Sequence, residues 1–132
     1  MLRRWSTQSG PDEDHLFGIF HGDVVVGGCG LHNRIGPGVR EIGYWVRQGW
    51  VRRGIATRAA GKLTSYGLAM HGVTRVEIHH DKANVASAGV PRHLGYSFAG
   101  EVAERIDAPG ESGINCRWQM TPAAWETRHH AF

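Results

Sequence analysis

The sequence predicts an α/β fold of the α+β kind: a mixed, mostly antiparallel central sheet around a parallel strand–helix–strand core. Three observations carry this. Residues 42–46 are an apolar, strand-like run, residues 55–70 have helical spacing, and residues 73–79 return as a strand. Such a unit implies a right-handed crossover and locally parallel pairing. Residues 16–20 and 24–31 flank the turn pair Gly22-Asp23, which marks a hairpin. Residues 96–102 and 114–121 close the chain as an antiparallel pair, joined by a loop around Ala108-Pro109-Gly110.

Each element has its own local reason. Residues 1–15 are polar, with Gly10-Pro11 and the acidic run Asp12-Glu13-Asp14; they read as a short helical or irregular lead-in and a loop. Residues 33–38 form a loop punctuated by glycine and proline. Residues 39–47 alternate as a strand, with Glu41, Gly43 and Trp45 on one face and Ile42, Tyr44 and Val46 on the other. The helix from Ile55 to Met70 presents Ile55, Ala59, Leu63, Tyr66 and Met70 as a core stripe. Gly72 is placed to end it in a C′ role. Val76 and Ile78 centre the next strand. Asn84 caps a helix toward Leu94. Pro91 interrupts that helix, because it lacks the N–H that would bond the Ser87 carbonyl. A kink, or a second short helix opened by Pro91, is expected. Gly95 stops it. Residues 122–132 read as a tail, with Trp125 pinned to the sheet.

Composition bounds the function. A chain of 132 residues is expected to be one domain over 1–132, and domains of this size hide roughly two-thirds of their unfolded surface. The 41% apolar and 20% charged shares mark a globular chain. Nineteen glycines suit a loop-rich protein that contacts ligands through its backbone. The net charge of +3 suits an anionic ligand. It is too mild and scattered to demand nucleic acid. Cys29 and Cys116 make no disulfide framework, which points to a reducing, cytoplasmic compartment; each reads as a small core residue. No apolar run has transmembrane length, and the start of the chain lacks the apolar core of a secretory signal. No Cys/His spacing suggests a metal, and His129-His130 reads as a frayed tail.

The stretch from Val46 to Thr57 organises the chain. A helix that starts straight after a short loop offers free backbone N–H groups and the positive end of its dipole, which together favour phosphate. Gly54 lets the backbone approach such a guest closely. Arg52, Arg53 and Arg58 add full charges. The alternative is a basic strand-to-helix connection with a solvated rim, and spacing alone does not separate the two.

Arg53-Gly54-Ile55-Ala56-Thr57, followed by Ala59-Ala60, resembles the acyl-CoA pyrophosphate loop of the GNAT N-acetyltransferases, written Q/R-x-x-G-x-G/A. Gly54 and Ala56 match its small positions, while Val51 departs from its first. Glu41-Ile42-Gly43-Tyr44-Trp45-Val46 before the loop, and Asn84-x-x-Ser87 and Leu94-Gly95-Tyr96 after it, are similar to the RimJ/RimL-type branch. The resemblance covers residues 17–120. It lacks the strand and two helices with which the family usually begins. Either the chain is a fragment or it is a reduced member, and the missing layer would leave an apolar sheet face for a homodimer to cover.

The resemblance implies acetyl transfer from acetyl-CoA to a primary amine, either a protein N-terminus or a small amine. It implies a V-shaped cleft where the strand ending at Val46 splays from the next. A backbone N–H at Trp45 or Val46 would polarise the thioester. The N–H groups of Val51, Arg52, Arg53, Gly54, Ile55, Ala56 and Thr57 would hold the pyrophosphate. The family's usual tyrosine acid falls on Pro91, so Ser87 becomes the candidate to protonate the leaving thiolate. The alternative for Ser87 is a first-turn hydroxyl satisfied by backbone. Asn84 would cap its helix, touch the cofactor, or both. Glu41 is the candidate base, with a pKa raised by burial near tryptophan; otherwise it pairs with Arg40 or Arg75. His79 and His80 are rival bases. Two other classes compete. A non-catalytic acyl-CoA-binding module would bind without turnover, and a basic nucleic-acid-binding domain lacks a recognition motif here.

Overall fold

The computed structural model describes residues 2–4 and 14–130. Seven strands form one sheet: β1 Leu2–Arg4, β2 His15–His21, β3 Val24–Gly36, β4 Val39–Val46, β5 Arg75–Asp81, β6 Ser97–Ala103 and β7 Ile114–Met120. Their spatial order is β1-β2-β3-β4-β5-β7-β6. Every pairing is antiparallel except β4 with β5. The parallel pair is joined by helix α1, Ile55–Leu68, as a crossover unit requires. Helix α2 is Val85–Leu94 and α3 is Pro122–His130.

The core forms where α1 lies on the sheet. Its buried residues are Ala59, Ala60, Leu63, Thr64 and Gly67. They meet Leu31, Ile42, Val76 and Ile78, each no more than 1% exposed. Burying one such side chain stabilises the fold by roughly 1.5–3 kcal/mol. The stripe is thus rotated from the expected one. Ala59 and Leu63 are in it, but Tyr66 is 43% exposed and packs edge-on against His15 and Phe17. Small residues take the sheet-facing line because the helix approaches closely. A Cβ on Gly67 would stand 3.1 Å from Leu31 Cδ1 and 3.2 Å from Val76 Cγ2. Thr64 is tolerated in this layer because its hydroxyl donates to the Ala60 carbonyl at 2.7 Å and meets the Tyr96 hydroxyl at 2.6 Å.

Several boundaries differ from those read from sequence. The lead-in is a strand over Leu2–Arg4, paired with β2; residues 5–13, with Gly10-Pro11, Asp12 and Glu13, lie outside the described residues. The expected loop at 33–38 is mostly strand. β3 runs to Gly36 through an irregularity between His32 and Gly36, and the turn is only Pro37 and Gly38, the latter at φ 75°. Helix α1 ends at Leu68 with Ala69 as its cap, so Gly72, at φ 82°, serves the later turn into β5 instead of the C′ position. The C-terminal tail is helix α3. Its Trp125 is buried in the core cluster and donates through Nε1 to Ser65 Oγ at 3.0 Å, which ties it to α1. The side chains of His129 and His130 lie outside the described residues.

Helix α2 shows neither a break nor a second start at Pro91. The carbonyl that Pro91 leaves without an N–H belongs to Ser87, and the Tyr44 hydroxyl donates to it at 3.0 Å. A donor from the sheet has replaced the missing backbone bond. Asn84 caps this helix as expected, accepting from the Ser87 N–H at 3.1 Å. Gly95, at φ 85°, ends it, and the Tyr96 N–H closes back on the Pro91 carbonyl at 2.9 Å.

Strand alternation sorts the side chains between two faces. Ile42, Tyr44, Val76 and Ile78 point to the helices. Glu41, Gly43, Trp45, Glu77 and His79 point to the other face. Among the described residues, α1 and α2 pack on the first face, and α3 joins α1 through Trp125.

Candidate functional site

The site starts from a pairing that stops. β4 and β5 match from Val39 with Arg75 to Ile42 with Ile78. Beyond that, β4 continues to Val46 and β5 to Asp81 without pairing to each other. The V-shaped opening expected between them is therefore present. A cleft of ≈ 620 Å³ fills it, lined by Glu41, Gly43, Tyr44, His79, Asn84 and Ser87 among others. On its far side β4 stays paired to β3, with Gly28 opposite Trp45 and Gly27 opposite Val46. The Arg47 N–H is spent on the Val26 carbonyl at 2.8 Å. By the two-residue alternation of a strand, the Trp45 N–H turns toward β3 and the Val46 N–H toward the opening.

The electrostatics of the open face follow from one awkward register. Glu41 on β4 lies directly beside Glu77 on β5, and like charges in that position repel. Cations resolve it. Arg34 forks both oxygens of Glu41, with Nε at 2.7 Å and Nη2 at 2.9 Å. Arg75 Nε donates to Glu77 at 2.6 Å, and His79 Nε2 lies 2.7 Å from the other Glu77 oxygen. His79 Nδ1 is 3.8 Å from Glu41 Oε2.

Burial alone would raise both carboxyls. At Glu41, however, the bond and charge of Arg34 prevail, with a smaller pull from His79, and hold it below the ordinary 4.5. At Glu77 burial is likewise overcome, by the bonds from His79 and Arg75. The expected rise for Glu41 is thus reversed. Trp45 is 52% exposed and lies over Gly28, where a Cβ would stand 2.5 Å from the indole nitrogen. The ion partner is Arg34, neither Arg40 nor Arg75.

The two histidines expected as rivals both line the cleft but differ in how their rings are held. His79 faces the open side with Glu41. His80 is buried on the helix side, with Nδ1 2.9 Å from the Asp81 carbonyl and Nε2 accepting from Trp118 Nε1 at 3.0 Å.

The loop between β4 and α1 makes a second locus. After a 3₁₀ turn at Gln48–Trp50 the chain exposes Val51, Arg52, Arg53 and Gly54. Arg52 has φ 64° and Gly54 has φ 73°; two left-handed residues so close together turn the chain sharply into the helix. Gly54 is the N-cap of α1 and supplies no side-chain cap. The first-turn N–H groups of Ile55, Ala56 and Thr57 have no intrahelical partner. The Arg53 guanidinium lies 4.7 Å from the centre of the Trp50 ring, and an Arg58 nitrogen comes within 3.2 Å of where a Gly54 Cβ would be.

The structure therefore brings Glu41, Asn84 and Ser87 onto one cleft with His79 and His80, and sets residues 51–57 at the mouth of α1 beyond the end of β4. Trp45 and Val46 link the two. Three residues here escaped the sequence reading: Tyr44, Arg34 and Glu77. For Tyr44 a signal existed, since a proline inside a helix needs a substitute donor. For Arg34 there was none, because its segment was read as a loop. Cys29 and Cys116 are free and buried. Burial pushes the Cys29 thiol up to about 11. Among the described residues, no group of three or more His, Cys, Asp or Glu is placed to hold a metal ion. Nor is any helix long and apolar enough to cross a membrane.

A cleft between diverging parallel strands, with a glycine-headed helix beside it, matches the GNAT-like fold expected from the sequence. The acetyltransferase (GNAT) domain family matches residues 1–97, and the chain belongs to that family. It is 26% identical over 110 residues to YdaF of Bacillus subtilis (strain 168), which carries the provisional name of ribosomal N-acetyltransferase. That alignment covers 83% of this chain and 60% of the relative. Two solved structures share the fold. Mycobacterium smegmatis RimJ, in complex with CoA-disulfide, has a TM-score of 0.74 at 22% identity, covering 90% of this chain and 60% of its own. The microcin C7 self-immunity acetyltransferase MccE, in complex with acetyl-CoA and AMP, has a TM-score of 0.72 at 20% identity, covering 83% and 61%. The chain thus spans about 60% of the length of these proteins.

Proposed function

We propose that this protein is an N-acetyltransferase that moves an acetyl group from acetyl-CoA to a primary amine, either a protein N-terminus or a small amine. The observation that carries the reading is the opening between β4 and β5, which exposes an unpaired strand edge beside Ser87 and Glu41. The acyl-CoA fits two features of this chain. The free edge of residues 43–46 offers backbone partners to the amide groups of its pantetheine arm. The uncapped start of α1, with Val51, Arg52, Arg53, Gly54, Ile55, Ala56 and Thr57, suits its pyrophosphate. Val51 has no polar side chain to add, so the backbone and the arginines carry that contact.

The residues divide the work. The Val46 N–H, facing the opening, polarises the thioester carbonyl; Trp45 leaves its own N–H in the sheet and offers its exposed indole to the open face. Ser87 supplies a proton to the departing thiolate. Its main chain is held at both ends, by Asn84 at the N–H and by Tyr44 at the carbonyl, which leaves the hydroxyl free to serve. Asn84 acts as the cap and lines the cleft. Glu41, an ion-paired carboxylate, draws a cationic amine to the open face. The ribosomal N-acetyltransferase name that YdaF carries favours a protein amine as acceptor. Trp45 at 52% exposure and Leu16 at 38% leave apolar surface on that face, which supports a homodimer covering it. Two free thiols suit a cytoplasmic setting.

Calorimetric titration with acetyl-CoA, followed by a free-thiol assay with amines, tests the reading. Micromolar binding, about −8 kcal/mol, and amine-dependent thiol release are expected. Binding without release would favour the non-catalytic acyl-CoA module. No binding would remove the function.

A further inference from the structure

We infer that His79 is the base that takes the proton from the acceptor amine, and that Glu77 is the residue that positions it. The inference rests on the transfer reading above and supplies the group that reading leaves unassigned.

The geometry is asymmetric. His79 Nε2 is 2.7 Å from Glu77 Oε1, and the second Glu77 oxygen accepts from Arg75 Nε at 2.6 Å. An ionised carboxylate can only accept, so the ring proton is held at Nε2 and the lone pair is left at Nδ1. Nδ1 points toward Glu41, 3.8 Å away. That is too long for a hydrogen bond, and both atoms border the cleft, from which a proton donor can reach Nδ1. Glu41 is the weaker base of the two, since the Arg34 guanidinium already donates to each of its oxygens. Its negative charge is instead placed to stabilise the imidazolium when Nδ1 takes up a proton.

Charges approach the ring from every side. Glu77 and Arg75 share its strand, Glu41 comes from β4 with Arg34 of β3 behind it, and Arg117 of β7 lies opposite in register. Arg117 is turned toward Asn115 and Glu104, each at 3.4 Å.

Sheet alternation also separates the two proton transfers. His79 and Glu41 are on the open face. Ser87 is on α2, on the helix face, where the thiol departs. The amine R–NH₃⁺ gives one proton to His79 Nδ1, which passes it to solvent. The neutral nitrogen forms the C–N bond as the C–S bond breaks. A second amine proton reaches the thiolate through the Ser87 hydroxyl, and the third stays on the amide. No further reactant is needed.

The test uses the full chain with acetyl-CoA and three amines: a peptide with N-terminal alanine, one with N-terminal serine, and 1,4-diaminobutane. Thiol release is followed against pH. His79→Ala is expected to lose roughly 10²- to 10⁴-fold in kcat, with the KM for acetyl-CoA unchanged. Its rate should climb with pH as bulk solvent deprotonates the amine, where the parent protein has levelled off. Glu77→Gln, which keeps the shape and one acceptor oxygen, should lose about tenfold, the equivalent of one weakened hydrogen bond. If His79→Ala does not fold, His79→Gln gives the same comparison. Long-range ¹H–¹⁵N spectra of the parent should show the neutral His79 ring protonated at Nε2, and Glu77→Gln should mix the tautomers. A full-rate His79 variant, or a ring protonated at Nδ1, would overturn the base assignment and leave the transfer reading standing. No thiol release by the parent with any of the three amines would overturn the transfer reading and the base with it.

Discussion

The Tyr44 hydroxyl donates to the Ser87 carbonyl at 3.0 Å, across 43 residues of chain. That bond sets the height of α2 over the cleft, because it replaces the helical bond that Pro91 cannot make. Tyr44→Phe should therefore destabilise the protein by about 1–3 kcal/mol, the cost of leaving a partly buried carbonyl without a donor. In the Pro91→Ala background the backbone N–H returns, and the same Tyr44→Phe change should cost measurably less. Denaturant unfolding of the four proteins gives the coupling; simple additivity would show that the two residues do not share the carbonyl.

Gly54→Trp should abolish acetyl-CoA binding. The glycine has φ 73°, which strains any L side chain, and the new bulk would fill the approach to the first turn of α1. Calorimetry reads the result directly, and undiminished affinity would separate residues 51–57 from the pyrophosphate.

Ser87→Ala removes the hydroxyl but keeps both main-chain bonds that hold the residue. Turnover should fall by roughly 10²-fold while acetyl-CoA affinity stays within a factor of about two, since each such factor is well under 1 kcal/mol. A variant that turns over at the parent rate would leave Ser87 as a helix residue only.

Acid should weaken the fold through the paired glutamates. Glu41 and Glu77 both lie below 4.5 when folded, so below that pH the unfolded chain binds protons that the folded chain does not. Their contribution is complete above the unfolded value and is lost as pH falls through the folded ones. The urea midpoint should stay level on descending from neutral pH and drop below about 4.5. The Glu41→Gln, Glu77→Gln double variant should show a shallower drop. An unchanged acid profile in that variant would mean that the ion pairs with Arg34 and Arg75 do not stabilise the folded state.

Cys29 offers a check on the core. With its thiol pushed up to about 11 and its side chain buried, it should resist alkylation at pH 8 in the native protein and react only on unfolding. Rapid native labelling at Cys29 would show that the β2–β4 layer opens.

The sequence by itself determined the order and kind of nearly all the elements, the hairpin at Gly22, the cap at Asn84, the stop at Gly95 and the glycine-headed loop before α1. These are local: each depends on periodicity, on a missing Cβ or on a missing N–H, and a single chain segment expresses them. It also named Glu41 and Ser87, both of which line the cleft. Only the tertiary structure decided what those residues touch. Pro91 was readable as a defect, but its repair needed Tyr44 from another element. Glu41 was readable as buried, but the sign of its pKa shift depended on Arg34, which reaches it only because β3 runs on through the irregularity after His32. His79 and His80 look equivalent in sequence. Strand parity and the partners Glu77 and Trp118 turned one ring to the open face and left the other, also on the cleft wall, with both nitrogens engaged. Charge, proton and cleft geometry depend on pairs brought together across strands, and a linear pattern carries no distance between them.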